Sequence, residues 1–171
     1  AITYRTSVLS KTAEELFTIP DQMFAENYDF NITTFAGAAN SFTYPYANEF
    51  TFTTENGEII DKMVIKSGKI HVQINSNVTY DATIVAQSTS LKMNNQTFSV
   101  SIPYKYNGSV PVTVDTLIDI SGYTIEFDNS TPVKNRILLN YLITAFNNNI
   151  PINNPYFFNI VNSVEEKSAK A

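Results

Sequence analysis

Few residues in this chain are equipped for covalent chemistry. It has one histidine, His71, and no cysteine, which excludes thiol nucleophiles, thiolate metal sites, disulfides and any histidine cluster. A serine nucleophile would have only His71 as its base, and no Gly-x-Ser-x-Gly elbow occurs. Gly68, Gly108 and Gly122 stand apart, without the spacing of a phosphate or dinucleotide loop. What remains is carboxylates, 16 in all, two of which in a cleft would suffice for acid/base work on a glycan. Asp115 and Asp119 flank Thr116-Leu117-Ile118, and Asp128-Asn129-Ser130 clusters oxygens. Neither run has the dense spacing of a calcium loop, so both read as surface turns. His71 lies between Ile70 and Val72, and strand alternation sets it beside Lys69, Gln73 and Asn75 on the face turned away from the apolar side. No catalytic residue, metal ligand or cofactor is assigned.

The other chemistry on offer is contact through rings and neutral amides, the groups that carbohydrate sites use. The run Phe42-Thr43-Tyr44-Pro45-Tyr46 places tyrosines beside a rigid proline, and Tyr104-Lys105-Tyr106 repeats the theme. At period two these rings read first as the packed side of a strand. As contact residues, Tyr44, Tyr46, Tyr104 and Tyr106 are the candidates for ligand binding.

Strands must position them. Isoleucine, valine and threonine number 49 and aromatics 22, against 19 alanine plus leucine, a balance that favours strands over helices. Apolar residues alternate in Ile70, Val72, Ile74; Phe98, Val100, Ile102, Tyr104; and Ile137, Leu139, Tyr141, Ile143, as half-buried strands require. Asn56-Gly57, Ser67-Gly68 and Asn107-Gly108 fall between apolar runs and read as hairpin turns. The second would join residues 63–66 to 69–75, and the third 98–106 to 109–114. Pro103 and Pro111 each remove a backbone donor, which sends their strands to a sheet edge or a bulge. Residues 10–17 carry the one helix-start pattern, cut short by Pro20. The expectation is all-β: a two-sheet antiparallel β-sandwich of about ten strands joined by short hairpin turns, with a closed β-barrel as alternative. One domain covers residues 1–164, and residues 165–171 read as a polar tail or linker.

A formal charge of -5 with scattered basic residues argues against nucleic acid, and no apolar run has the length of a spanning helix. An outer-membrane barrel fits less well than a sandwich, because the strands are short and the chain ends in a polar run. Twenty Asn, 19 Thr and 14 Ser give a neutral polar surface, the look of exported proteins, and the start at Ala1 suits a processed protein or part of a larger multidomain one. Five glycosylation sequons are near the number chance would place. Residues 59–77, with the Ser67-Gly68 turn and the strand ending at Asn75, together with residues 93–98 and the Ser121-Gly122-Tyr123 element, resemble uncharacterised β-sandwich modules of exported, cell-surface proteins of Bacteroidetes-type bacteria. That resemblance implies an extracellular, cell-surface or periplasmic setting and carries no site residues. The function expected is a non-catalytic binding or structural module with a protein or glycan partner. The alternatives are a carrier of an apolar ligand inside the sandwich and a carboxylate-dependent glycan-active enzyme.

Overall fold

The computed structural model describes residues 21–170, with side chains as far as Val164. The segment at residues 10–17, read equally as a one- or two-turn helix or as a strand, lies outside the described residues. Nine strands follow: β1 (Met23–Asp29), β2 (Ser41–Thr51), β3 (Lys62–Ser76), β4 (Ala82–Met93), β5 (Gln96–Tyr104), β6 (Val112–Asp119), β7 (Thr124–Glu126), β8 (Arg136–Phe146) and β9 (Phe157–Lys170). Every pairing is antiparallel. β1, β9, β3 and β6 form one sheet and β2, β8, β4 and β5 the other, with short β7 bonded to both β3 and β4. β1 thus neighbours β9, and successive strands change sheets except at the β4–β5 hairpin, the interleaved double Greek key of a jelly roll. The all-β sandwich is as expected, but its connections are not.

Of the three expected hairpins none forms. Ser67-Gly68 lies inside β3, where the register against β9 shifts twice between Ile65 and Lys69. A bulge is what the residues demand: Met63 and Ile65 are odd-numbered and Ile70, Val72 and Ile74 even-numbered, so the strand must slip one position to keep all five on the core face. The bulge also marks a change of neighbour, from β7 before it to β6 after it. The turn between those two strands docks there: Gly122 N donates to Ile65 O (2.7 Å), Ile120 N to Gly68 O (3.0 Å) and Gly68 N to Ser121 Oγ (3.2 Å). β4 has a matching irregularity between Ser88 and Lys92, where Ser88 and Ser90 bond the Leu138 backbone. Asn56-Gly57 and Asn107-Gly108 turn the chain between sheets, since β2 pairs only with β8, and β5 and β6 do not pair with each other. β5 and β6 are edge strands, which is where Pro103 and Pro111 belong. The single tight hairpin joins β4 to β5 through Asn94 and Asn95, with φ of 51° and 63°, a turn with both central residues left-handed as strand twist prefers. β9 runs on through Lys170, so the backbone up to there, expected as a tail, is paired with β3.

The core is the space between the sheets. Ile74, Ile84, Ile143 and Ile160 are essentially fully buried, as are Tyr80, Tyr104, Tyr141 and Phe158, each worth about 1.5–3 kcal/mol by burial for the aliphatic ones. At one end, the loops are tied by asparagine amides. Asn154 bonds both backbone groups of Ile32, and Asn77 accepts from Phe157 N while donating to Pro155 O. At the other end, Asn135 takes Ile60 N and gives to Glu58 O. Much of the asparagine content is therefore structural stapling.

Candidate functional site

The predicted tyrosines do not form one site. Tyr44 and Tyr46 stand together on edge strand β2, rings 5.0 Å apart, and Tyr46 packs on Tyr28 at 4.5 Å. The Tyr46 hydroxyl donates to Asp29 O at 2.6 Å, and burial pushes its pKa up. Only Tyr44 presents its ring to solvent, at 50% exposure. Tyr104 lies across the sandwich on β5, fully buried, with its ring 5.3 Å from Phe158 and its hydroxyl donating to Val78 O at 2.7 Å. A ligand at the surface cannot touch it, so it leaves the candidate set. Tyr106 is half-buried in the following loop, its N–H held by Asp81 Oδ1 at 2.9 Å.

The titratable candidates are spent on local bonds. His71 Nε2 meets Asp115 Oδ1 at 2.6 Å on the outer face of the β1-β9-β3-β6 sheet, and Gln73 donates to the second Asp115 oxygen. Those hydrogen bonds, His71 first, hold the Asp115 carboxyl below its ordinary range. Asp119 is held down likewise, by Ser121. Asp128 accepts from Ser130 N and, with Glu49, from the Arg136 guanidinium. The expected turn at residues 128–130 is therefore real, and its carboxylate is already paired. Among the described residues no group of three His, Asp or Glu is placed to hold a metal.

What the topology assembles is a surface that alternation along one strand cannot show. Register across β2, β8, β4 and β5 aligns three outward rows. The first is Thr43, Thr144, Thr83 and Pro103, with the Thr43 and Thr144 hydroxyls bonded at 2.9 Å. The second is Pro45, Leu142, Val85 and Ser101, and the third Ala47, Asn140, Gln87 and Ser99. These twelve positions carry no charge, although the chain as a whole is at -5. Leu142 stands 38% exposed at the middle, and Phe146 lies beside the first row on β8. Tyr44, between the outward Thr43 and Pro45, turns to the other side of edge strand β2. The opposite sheet is different: its outer face carries Lys69 opposite Asp119, and His71 one step diagonal from Asp115, which faces Gln73. The uncharged face is the candidate site, and it is chemically suited to contact rather than to proton transfer.

No family model, curated protein or solved structure matches this chain.

Proposed function

We propose that this chain is a non-catalytic structural or binding module of an exported or surface-borne protein, and that it docks through the uncharged outer face of the β2-β8-β4-β5 sheet. The first partner proposed is a second copy of the chain. The observation that carries this reading is the face itself, twelve uncharged side chains on a molecule of net charge -5. Two such molecules repel at most approaches, and contact cores are depleted in charged residues because their desolvation is costly. Within these twelve positions a two-fold axis brings no carboxylate against a carboxylate; Glu49, opposite Leu138 in the next row, lies outside them. Four strands at ~4.8 Å and three rows ~7 Å apart cover roughly 400 Å², about half of the ~800 Å² each partner gives to a stable interface. The face is thus the centre of a contact whose rim includes Phe146. Jelly rolls recur as shell subunits and lectin domains, and a subunit that packs through a sheet face belongs with the first use by analogy of fold. The export setting rests on the neutral polar surface.

The test is sedimentation equilibrium and native mass spectrometry of the full chain over a concentration series. The expected result is a reversible multiple of 19.2 kDa that Leu142→Lys abolishes while the melting temperature is kept. A chain that stays monomeric throughout, or association indifferent to Leu142→Lys, overturns the self-docking reading and turns the search to other proteins and glycans.

A further inference from the structure

The two sheets do not close completely on each other. Near β7 they leave a cavity of about 80 Å³, walled by both sheets. No charged side chain lines it, and its polar side chains are Ser67, at the β3 bulge, and Asn162. Asn162 already donates to the Tyr141 hydroxyl at 2.5 Å. On β4 the wall is Ala86 and Leu91, and the small Ala86 side chain leaves space open. One water needs roughly 10–15 Å³ and two to four polar partners; this cavity has the room and lacks the partners, so it excludes water. Its lining forfeits dispersion contacts that an apolar guest restores.

We propose that this cavity is a binding site for the end of a single aliphatic chain. Phe24, Leu139 and Val164 line it and are only half-buried, as is Ile70 near the exposed Ser67, so the cavity nears solvent both where β1 and β2 face each other and at the β3 bulge. An apolar cavity of about 150 Å³ in another protein holds benzene; half that space with an open mouth suits a slender guest whose remainder passes out to solvent. With no charge on the wall, the head group stays in water and is not recognised. The ligand class is therefore a single-chain amphiphile, selected by its tail.

The experiment is isothermal titration of the full chain with decanol and with decanoate, both below micelle-forming concentration. Saturable one-to-one binding of both, within a few-fold of each other, is expected. Ala86→Leu fills the cavity and should weaken both by tenfold or more while the unliganded protein melts no lower. Val164→Phe intrudes on the cavity entrance and should weaken both several-fold, and it decides the matter if Ala86→Leu does not fold. Absence of saturable binding by the wild type, or binding unchanged in both variants, overturns the proposal. The site lies inside the sandwich, so Leu142→Lys on the outer face leaves it intact and the two proposals fail separately.

Discussion

Replacing Asn135 tests how much of the fold hangs on one amide. Asn135 is buried at the end of the β7–β8 loop, 6% exposed, with φ of 54°. Its Oδ1 accepts from Ile60 N at 2.8 Å, its Nδ2 donates to Glu58 O at 2.7 Å, and its carbonyl accepts from Phe52 N at 2.8 Å. Asn135→Ala deletes the two side-chain bonds. Ile60 N is buried and finds no other partner, a loss of about 1–3 kcal/mol, whereas Glu58 O retains Thr54 Oγ1 at 3.2 Å and loses about 1 kcal/mol. Alanine at positive φ adds about 1–2 kcal/mol, which Asn135→Gly avoids. The expected losses are about 3–6 kcal/mol for alanine and about 1–2 kcal/mol less for glycine, or roughly 6–24 °C in Tm for alanine at this chain length. Reversible guanidinium unfolding followed by tyrosine emission measures this, the chain having no tryptophan. The reasoning is refuted if Asn135→Ala lies within 1 kcal/mol of wild type, or if glycine is no better than alanine.

Three further outcomes follow from the same geometry. Burial pushes the phenols of Tyr80 and Tyr104 up to about 12 and raises Tyr28, Tyr46 and Tyr141 as well; folded values above the unfolded value of about 10 mean stability that is whole below pH 10 and lost as pH climbs through 12. Melts across that window should fall steeply, with these five phenols ionising only as circular dichroism is lost; ionisation of all ten tyrosines with the fold intact would contradict this. Tyr104→Ala should cost about 3–5 kcal/mol and Tyr44→Ala less than about 1 kcal/mol, because the first ring is core and the second is exposed; comparable denaturation midpoints for the two would undo that distinction. Asn95→Gly should raise stability by less than about 1 kcal/mol in chemical denaturation, since glycine takes the left-handed second position of the β4–β5 turn without a Cβ penalty, and a lower midpoint would count against the turn geometry.

Local patterns in this sequence carry the faces of strands but not their partners. Alternation placed Ile70, Val72 and Ile74 inward and His71 outward, and Pro103 and Pro111 pointed to edges, all as observed. The parity change between Ile65 and Ile70 was equally visible and announces a bulge, but Ser67-Gly68 invites a hairpin reading because both features use small, permissive residues. Asn56-Gly57 and Asn107-Gly108 supply positive φ at their glycines, a property that a crossing between sheets needs as much as a hairpin does. Conversely, Asn94-Asn95 makes the one tight hairpin without any glycine, which two asparagines in the left-handed region allow. For the site the obstacle is distance along the chain: Pro45, Leu142, Val85 and Ser101 become one row only after β2, β8, β4 and β5 are set side by side. A ring beside proline, as at Tyr44, is a local feature, whereas a surface defined by missing charges is a property of register. Faces of this kind become predictable once pairing is known, and pairing in a jelly roll is set by contacts between strands as far apart as the first and the ninth.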